Sequence, residues 1–581
     1  MPENNLEKLR HSCAHLLAAA IMELWPKTKR TIGPAIENGF YFDFDFGDVK
    51  VSEDDFPKIE QKMHELAKTW KFFERHELSA SEAKKQYPGN KYKHELIDEI
   101  SKADKVITFF KSGNYWDLCE GGHVENPGKV LKYFKLLSIA GAYWRGNEKN
   151  KMLTRIYGTC FSTKEELDKY LWQVEEAKKR DHRKLGKELD LFTFSDLVGS
   201  GLPLYTPKGA LVRKLLNDYV EDVQSKEGYQ QVWTPQINKA ELFKISGHYD
   251  KYKENLFRVF SNYSKEEFYL KPMNCPQHTQ IYASKPRSYR DLPLRFTDFA
   301  MLYRDEKPGE LNGLARVRSF SQDDCHVFCR EDQVDEEIDQ ALNMTKRIMK
   351  TFGFKYRYRL STRDKKHPEK YVGDPKVWDK LEAWAEKIMK RNKIEYFVAP
   401  GEAAFYAPKM DLMATDLLGR EWQLSTVQID FFMPERFDLT YINKEGGKSR
   451  PAMIHRAIIG SAERFMMILL EHYAGSFPLW LSPVQVSIIP VSDKFIKEAK
   501  IIEEKFKDNS LRAELNDERE SVGKKIRQST LQKVPYMVII GEKEAKNLEF
   551  VSVRTREGKD LGLRNFKDFV NHLKDDVQKQ K

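Results

Sequence analysis

The chain has 581 residues, 40% of them hydrophobic and 32% charged, so we expect a globular protein of three or four domains. It contains no apolar run of about eighteen residues, so no membrane span is expected, and MPENNLEKLRHSC lacks a signal core. Six cysteines scattered over this length do not resemble a disulfide framework, which favours a reduced, cytoplasmic setting. The net charge of +10 permits a polyanionic partner without requiring one.

Two pairs of metal-ligating residue types lie in the first 160 residues. His11 and His15 are spaced to share one face of a predicted helix. Cys119 and His123 follow much later, in YWDLCEGGHVENPG, with Asp117 beside them. Histidine and cysteine at these spacings suit a zinc site. The alternative is that the two pairs are unrelated.

The next stretch, residues 161–182, predicts a charged amphipathic helix. Leu167, Leu171 and Val174 recur there at helical spacing, with charged residues at most other positions. We interpret this helix as a solvated connection between domains.

Three residues that are far apart in the chain form a possible metal set. Cys275, His326 and His455 lie in KPMNCPQH, SQDDCHVFC and PAMIHRAIIGSAERF. One thiolate and two imidazoles suit zinc and leave one or two positions open, as a catalytic or substrate-binding metal requires. The spacing is too wide for a local finger or ribbon motif, and each residue alone could be an ordinary core or surface residue.

Two arginine-bearing segments favour nucleotide binding. LPLRFTDFAMLYRDEKPGELNGLARVRSFSQDD predicts strand, polar loop and strand, with Arg304 and Glu306 ending the first strand and Arg316 and Arg318 opening the second. HRAIIGSAERFMMILLEHY predicts a turn and then an apolar helix, with Arg464 in its first turns. Guanidinium groups bind phosphate oxygens in pairs and keep their charge, as a bent nucleotide triphosphate requires. The alternative is a solvated sheet edge.

The remaining segments predict strands of two kinds. QLSTVQID alternates as a half-buried strand does, and its Gln423, Thr426 and Gln428 face either a site or water. From WLSPVQVSIIPVSD to the end, short apolar strands alternate with amphipathic helices. That pattern indicates a small α/β domain with a mainly parallel sheet.

Together these segments resemble the signature motifs of class II aminoacyl-tRNA synthetases. The two arginine segments are similar to motifs 2 and 3. YTPKGALVRKLLNDYVEDVQSKEGYQQVWTPQI is similar to motif 1, a long helix and a strand ending at Pro235. With Cys275, His326 and His455 added, the chain is identified as a member of the bacterial-type threonyl-tRNA synthetases over nearly its whole length. No GxxxxGK[ST] loop offers another route to nucleotide binding.

The resemblance implies a mixed α/β and α+β multidomain fold. It implies an α+β editing domain (1–160), a linker helix (161–182), a class II catalytic domain with a zinc site (183–480) and an α/β anticodon-binding domain (481–581). The catalytic domain should contain an antiparallel sheet flanked by helices. Many relatives begin with a ubiquitin-like domain, which we expect to be absent because His11 comes so early. A homodimer formed through motif 1 is also implied.

Roles for individual residues follow from the resemblance. Catalysis is assigned to Arg304, Arg464 and His248, the last as a histidine that helps to deprotonate the terminal ribose. ATP contacts are assigned to Arg304, Glu306, Arg316, Phe320, Gln322, Gln423, Thr426, Ser461 and Arg464. Threonine contacts are assigned to Met273, Asp324, Tyr406 and Gln428. Zinc ligation is assigned to Cys275, His326 and His455.

The other two domains receive roles in the same way. Hydrolytic editing is assigned to His11, His15, Asp117, Cys119 and His123, where water attacks the wrong ester and a metal is not obligatory. The usual CxGPH of the family is CEGGH here, and Gly122 loosens that loop. Anticodon contacts are assigned to Arg519, Glu544 and Arg554. The family often has Arg-Asn where this chain has Glu518-Arg519.

The implied partners are tRNA(Thr), ATP and L-threonine, and the implied cofactors are one Zn²⁺ per subunit and Mg²⁺ with ATP. An open zinc that binds the amino and hydroxyl groups of threonine rejects valine, by roughly 10⁴-fold or more. Serine lacks only a methyl group, worth about 1–3 kcal/mol, so a second, hydrolytic pocket is expected. Two alternatives stay open: a non-catalytic paralogue that binds RNA, and a zinc hydrolase that acts through the N-terminal tetrad alone.

Overall fold

The computed structural model describes residues 3–580, so residues 1, 2 and 581 of the predicted terminal domains lie outside it. The chain forms two compact units that divide between residues 175 and 176. Across residues 3–580, no helix combines the length and the apolar character that crossing a membrane requires.

In the first unit a long helix covers a five-stranded sheet. The helix is α1 (Glu3–Leu24), and the phenylalanines of β3 (Gly39–Asp45) pack against its apolar face in one buried core. The strand order is β1-β3-β8-β7, with β2 paired to β3, and a second sheet has the order β4-β5-β6. The other elements are β1 Lys29–Arg30, β2 Ala35–Ile36, α2 Phe56–Ala67, β4 Glu74–Glu77, α3 Ala80–Lys85, α4 Lys91–Lys102, β5 Thr108–Ser112, β6 Tyr115–Leu118, α5 Pro127–Val130, β7 Tyr133–Tyr143 and β8 Met152–Phe161.

The predicted connecting helix is α6 (Lys164–Arg180), in which Leu167 is buried. It is shorter at both ends than the predicted range. The chain continues through α7 His182–Glu188, β9 Phe192–Thr193, β10 Leu204–Tyr205, α8 Pro207–Lys226, β11 Gln230–Gln231, β12 Ile237–Lys239, α9 Ala240–Ser246, α10 His248–Tyr252, β13 Arg258–Val259, β14 Phe268–Leu270 and α11 Cys275–Ala283. The helix of motif 1 is α8, but the strand after it stops at Gln231, short of the predicted end at Pro235.

An eight-stranded sheet forms the centre of the second unit. Its order is β11-β15-β16-β23-β20-β19-β17-β18, antiparallel except for the parallel edge strands β11 and β18. The predicted antiparallel sheet flanked by helices is confirmed. The remaining elements to residue 472 are β15 Leu294–Tyr303, β16 Ser319–Cys329, α12 Val334–Phe352, β17 Lys355–Thr362, α13 Pro375–Arg391, β18 Tyr396–Pro400, β19 Lys409–Thr415, β20 Glu421–Asp430, α14 Phe432–Arg436, β21 Tyr441–Ile442, β22 Lys448–Ser449, β23 Ala452–Ala457 and α15 Ala462–His472.

The C-terminal part of this unit is an α/β domain with a mixed sheet. Its elements are β24 Val486–Pro490, α16 Ile496–Asp508, β25 Ala513–Leu515, α17 Val522–Leu531, β26 Tyr536–Ile540, α18 Glu542–Lys546, β27 Phe550–Thr555, β28 Asp560–Asn565 and α19 Phe566–Gln578. In the order β25-β24-β26-β27-β28, the first two pairings are parallel and the last two antiparallel. The prediction of a mainly parallel sheet is therefore wrong, because β27 pairs antiparallel with both of its neighbours. β27 and β28 form a hairpin, which needs no crossover helix.

Candidate functional site

Cys275, His326 and His455 converge in the eight-stranded sheet. His326 and His455 are paired across β16 and β23, and Cys275 is the first residue of α11. The Nε2 atom of His326 lies 3.0 Å from Nδ1 of His455, and the three ligand atoms lie within 4.8 Å of one another. The residues are 2%, 1% and 6% exposed, respectively. Distant segments thus bring one thiol and two imidazoles to a single buried point.

Two further side chains hold the outer nitrogens of these imidazoles. Asp430 Oδ2 lies 2.9 Å from His455 Nε2, and His278 Nδ1 lies 2.8 Å from His326 Nδ1. Burial lowers the pKa of His278 to about 3 and that of His326 well below its usual value, so both rings are neutral. Hydrogen bonds of this kind orient metal-binding histidines and set their tautomer. Neither partner was predicted from the sequence, although His278 lies one helical turn after Cys275.

The residues assigned to threonine surround this cluster. The Tyr406 hydroxyl donates to Gln428 Oε1 at 2.6 Å, and the Tyr406 ring lies 5.0 Å from the His455 ring. Asp324 Oδ2 accepts the backbone N–H of Asn274 at 3.0 Å, and burial raises the pKa of Asp324 to about 6. Met273 packs on the apolar cluster that contains Cys275. All four predicted residues, Met273, Asp324, Tyr406 and Gln428, therefore lie close to the candidate metal ligands.

A cavity of about 390 Å³ lies on the same sheet, and all nine residues assigned to ATP line it. Arg304 stacks on Phe320, its guanidinium carbon 5.0 Å from the ring centre. Arg464 donates from Nε to the Ala315 carbonyl at 3.1 Å. Burial lowers the pKa of Arg464, and the neighbouring Arg304 and Arg316 lower it further. Three guanidinium groups that repel one another around one cavity make a binding site for a polyanion.

The two ends of the motif 2 loop are joined across the cavity mouth. Arg316 pairs with Glu306 at 2.8 Å and with Glu310 at 2.9 Å. The Arg304 N–H donates to the Arg318 carbonyl at 2.9 Å, which continues the ladder of β15 and β16 beyond the strands. The four predicted polar residues thus lie just outside the strand ends.

A bulge in β20 sets the side of the cavity occupied by Gln423 and Thr426. Strict alternation would place these two residues on opposite faces. The pairing of β19 with β20 shifts between Asp411–Thr426 and Met413–Gln423, which leaves one extra residue in β20. Gln423 Nε2 then donates to Thr426 Oγ1 at 3.1 Å, and both side chains donate to Asp411 Oδ1. Asp411, which was not predicted from the sequence, thus joins the two side chains.

His248 lies beside the metal cluster rather than on the cavity wall. It is fully buried at the start of α10, with Nδ1 2.8 Å from Ser246 Oγ and Nε2 3.7 Å from Cys275 Sγ. Burial lowers its pKa to about 3, so the ring is neutral at pH 7 and only weakly basic. Its role as a base stays a prediction.

In the first unit, His11, His15, Cys119 and His123 also meet, with ligand atoms within 4.8 Å of one another. Cys119 Sγ lies 3.5 Å from His11 Nε2 and 3.3 Å from His123 Nε2. A cavity of about 650 Å³ adjoins them, lined by His11, His15, Asp117 and Cys119 among others. The predicted tetrad is thus a structural cluster at a cavity, not two unrelated pairs.

Asp117 is held by buried cations in the wall of that cavity. Its carboxylate lies 2.8 Å from Lys93 Nζ and 3.2 Å from Arg30 Nε, and it accepts the Tyr115 hydroxyl at 2.9 Å. Burial alone would raise the pKa of Asp117, but Lys93 and Arg30 outweigh burial and hold it well below its usual range. Lys93 and Arg30 were not predicted, because neither lies in a segment with a recognisable spacing.

Known proteins match this arrangement over most of the chain. A model of the class II core domain of tRNA synthetases (G, H, P, S and T) matches residues 257–473. The second additional domain of threonyl and alanyl tRNA synthetases matches residues 107–157. Threonine–tRNA ligases of Cytophaga hutchinsonii and Rubrobacter xylanophilus are each 48% identical, over 98% and 97% of this chain and 88% of each relative. The chain belongs to the threonine–tRNA ligase family.

Solved structures of this family share the fold. The RNA binding domain of threonyl-tRNA synthetase from Cryptosporidium parvum has a TM-score of 0.65 and 37% identity, and covers 68% of this chain and 98% of that one. A putative threonyl-tRNA synthetase from Aeropyrum pernix has a TM-score of 0.60 and 28% identity, over 69% of this chain and 96% of that one. The class II core and the editing-associated domain of the fold prediction are therefore confirmed.

A family model of anticodon-binding domains matches residues 485–576, the C-terminal α/β domain of this chain. The loop with Arg519 follows β25 and Glu544 follows β26, so both lie at the carboxyl edge of parallel strands. Arg554 lies on β27. Glu544 is 7% exposed, and its carboxylate accepts the Gly541 N–H at 2.9 Å and the Ser552 hydroxyl at 2.6 Å. Glu544 thus also caps α18, a structural role that its assignment to the anticodon did not include.

Proposed function

We propose that this protein activates L-threonine with ATP, transfers it to the 3′ end of tRNA(Thr), and hydrolyses mischarged Ser-tRNA(Thr) at its N-terminal site. The observation that carries the proposal is the position of the Cys275, His326 and His455 cluster on the same sheet as the guanidinium-lined cavity. The candidate metal ligands suit the amino acid, and the guanidinium-lined cavity suits the nucleotide. An aminoacyl-adenylate has these two parts in one molecule.

The candidate metal is zinc. One thiolate, two neutral imidazoles and a set of outer hydrogen bonds from Asp430 and His278 fit its preferences. When bound, zinc would supply open coordination positions for the amino and hydroxyl groups of threonine. Valine has no hydroxyl group to fill the second of these positions, and rejection by roughly 10⁴-fold or more would follow. Asp324 lies 3.8 Å from His326 Nε2, where its carboxylate can accept a hydrogen bond from the threonine hydroxyl.

In the first step the threonine carboxylate attacks the α-phosphorus of ATP, and pyrophosphate leaves. A carboxylate is already a nucleophile, so the protein needs no base; it must align the groups and neutralise charge. We assign Arg304 to the α-phosphate, Arg316 to the γ-phosphate and Arg464 to adenine and the phosphates. Arg316 must leave Glu306, its partner at 2.8 Å, so that Glu306 becomes free for adenine. Mg²⁺ accompanies the phosphates with oxygen and water ligands.

In the second step the terminal ribose hydroxyl of tRNA attacks the adenylate carbonyl, and AMP leaves. We assign His248 to the proton of that hydroxyl, since its ring is neutral and one nitrogen is held by Ser246. The His248 ring is fully buried, 3.7 Å from Cys275 Sγ. The terminal ribose of the tRNA must therefore reach this buried position for the proton to be transferred.

The proposal includes the four-domain division at residues 160, 182 and 480, a cytoplasmic setting and a homodimer formed through motif 1. All six cysteines are free thiols, which supports a reduced setting. Trp233, which follows the motif 1 helix, is 75% exposed, and exposed tryptophan is typical of a surface that a partner covers.

The first test is the metal ligand Cys275. In Cys275→Ala, bound zinc should fall to background, and threonine-dependent ATP–pyrophosphate exchange should fall by at least 10²-fold. Cys329→Ala is the matched control, because Cys329 is a buried free cysteine of β16 outside the cluster. It should keep both zinc and exchange. Full exchange in Cys275→Ala would contradict the metal assignment.

The same assays separate the two alternative functions. A purified protein with zinc but without exchange would favour the RNA-binding paralogue. A zinc hydrolase acting through the first unit predicts that Cys119→Ala abolishes the main activity. Our proposal predicts that Cys119→Ala still aminoacylates tRNA while Ser-tRNA(Thr) accumulates.

A further inference from the structure

His182 is a buried histidine that lies outside both candidate metal clusters. It is the first residue of α7, and its Nδ1 atom lies 2.7 Å from Oε1 of Glu471, in the last turn of α15. Its Nε2 atom accepts the backbone N–H of Leu314 at 3.1 Å. The imidazole therefore joins the helix that carries Arg464 to the motif 2 loop.

The bond from Leu314 fixes the position of the proton on the ring. Because Nε2 accepts an N–H group, it carries no proton, and the ring proton lies on Nδ1. Nδ1 then donates to the Glu471 carboxylate, which also accepts the backbone N–H of His182 at 3.2 Å. Hydrogen bonds in such a chain polarise one another, so the carboxylate strengthens Nε2 as an acceptor.

Glu471 is itself held by groups other than His182. The Glu471 side chain is buried, and its Oε2 atom accepts a hydrogen bond from Arg420. Arg180 donates to the backbone carbonyls of Glu471 and His472, at 3.4 Å and 3.0 Å. The carboxylate that supports the imidazole is therefore fixed in place before the imidazole is considered.

The motif 2 loop lies directly against the imidazole. Gly313 has φ of +47°, and a Cβ atom there would lie 2.1 Å from His182 Nε2. A side chain at this position would displace the ring, so the close approach depends on glycine. Leu314, the next residue, is fully buried. This part of the loop is therefore anchored rather than free in solvent.

The anchored turn carries or contacts two of the arginines assigned to ATP. The Ala315 carbonyl accepts Arg464 Nε at 3.1 Å. The backbones of Asn312 and Arg316 exchange two hydrogen bonds, of 3.1 Å and 3.3 Å, which close a turn with Leu314 at its centre. The bond to the Leu314 N–H therefore holds the turn on which both guanidinium groups depend.

We propose that His182 is a positioning residue for ATP, which holds the motif 2 turn so that Arg316 and Arg464 meet the phosphates. His182 does not line the guanidinium-lined cavity, so it acts through the Leu314 N–H. The effect on ATP rests on the proposed function, since that function assigns both arginines to the nucleotide. The hold on the turn does not, and it is measured without enzyme activity.

Two substitutions separate the two bonds of the imidazole. In His182→Gln the side-chain amide reaches the position of Nε2, where its oxygen accepts the Leu314 N–H. In His182→Asn the amide reaches only the position of Nδ1, beside Glu471. Lys184→Ala is the matched control, because Lys184 is an exposed residue of α7 whose ion pair is with Glu188.

Deuterium uptake by the full chain measures the Leu314 bond directly. The peptide that contains Leu314 should take up deuterium about tenfold faster in His182→Asn than in the wild type, because one hydrogen bond is lost. His182→Gln and Lys184→Ala should match the wild type. Wild-type uptake in His182→Asn, or equally fast uptake in His182→Gln and His182→Asn, would overturn the proposal.

ATP–pyrophosphate exchange measures the consequence for the reaction. His182→Asn should raise the KM for ATP about tenfold and leave the KM for threonine and the bound zinc unchanged. His182→Gln should restore the KM for ATP. A parallel rise in both KM values, or loss of zinc, would show a general structural role and overturn the proposal.

Failure of the proposed function gives a different result. A wild type without exchange activity would contradict that function. Deuterium uptake that rises in His182→Asn and returns to the wild-type rate in His182→Gln would still support the hold of His182 on the turn.

Discussion

His278 lies behind one of the proposed zinc ligands. Its Nδ1 atom lies 2.8 Å from His326 Nδ1, so it holds the outer side of a ligand whose Nε2 faces the cluster. Loss of such a partner typically weakens metal affinity 10–100-fold. We expect His278→Ala to lower zinc affinity by about that factor.

Competition with a chelator of known affinity measures this change. His367→Ala is a suitable control, since His367 is exposed and lies outside both clusters. Equal zinc affinity in His278→Ala and the wild type would show that packing alone orients His326.

Asp117 offers a test of buried charge. Replacing it by asparagine leaves Lys93 and Arg30 without their counter-charge, which costs about 3 kcal/mol for a buried pair. Because the folded-state pKa of Asp117 is depressed, its stabilisation is present above a pH of about 4 and is lost as the pH falls below it. Asp117→Asn should therefore unfold at lower urea than the wild type at pH 7, by a gap that shrinks below about pH 4.

Urea unfolding at a series of pH values provides the measurement. Asp98→Asn is the control, because Asp98 forms an exposed pair with Lys84, and its replacement should leave unfolding unchanged. A gap for Asp117→Asn that does not vary with pH would contradict the ion-pair explanation.

The residues of the candidate ATP site could be brought together from the sequence, because its polar side chains lie in segments with recognisable patterns. All nine residues assigned to ATP line one cavity. Asp430 was missed because its partner His455 lies 25 residues away, and no sequence spacing encodes that contact. His278 was missed although it lies one helical turn after Cys275, because its contact with His326 forms only on folding.

At the level of elements, the strand β20 shows where alternation fails as a guide. In a regular strand, Gln423 and Thr426 would point to opposite faces of the sheet. One extra residue in the bulge instead places both side chains against Asp411. The prediction that the C-terminal sheet is mainly parallel was wrong for a related reason. Apolar runs identify strands, but only the connection after Thr555, a tight turn closed by the Thr555 N–H and the Lys559 carbonyl, sets their direction.

The turn between β23 and α15 depends on Gly460. Its φ is +65°, and a Cβ atom there would lie 2.9 Å from the Leu424 carbonyl oxygen. Gly460→Ala should lower the free energy of unfolding by about 1–3 kcal/mol. It should also reduce exchange, because this turn leads into α15, which carries Arg464 in its first turn. Gly446→Ala separates backbone strain from steric contact, since Gly446 has φ of +81° but a Cβ atom there meets no atom within 4 Å.

Urea unfolding and ATP–pyrophosphate exchange on both variants provide the measurements. Gly446→Ala should show a loss of stability alone. Equal exchange in the two variants would mean that the turn does not position Arg464.

At the scale of the whole molecule, the two units have separate cores. The main core cluster of the first unit contains residues between 6 and 160, and that of the second contains residues between 185 and 577. A fragment of residues 162–581, which starts before α6, should therefore keep threonine-dependent exchange and lose Ser-tRNA(Thr) hydrolysis.

Exchange and deacylation assays on the purified fragment and the full chain check this expectation. Loss of exchange in a fragment that still binds zinc at Cys275 would show that the first unit is required for activation.

Separate cores also change what a thermal melt of this protein can mean. Heat can disrupt the phenylalanine-rich core of the first unit while the eight-stranded sheet stays intact, so a single transition temperature does not describe the chain. Threonine and ATP bind the second unit under our proposal and would delay only the melting of that part. Calorimetric scans with and without these ligands would thus assign each endotherm to its half of the sequence.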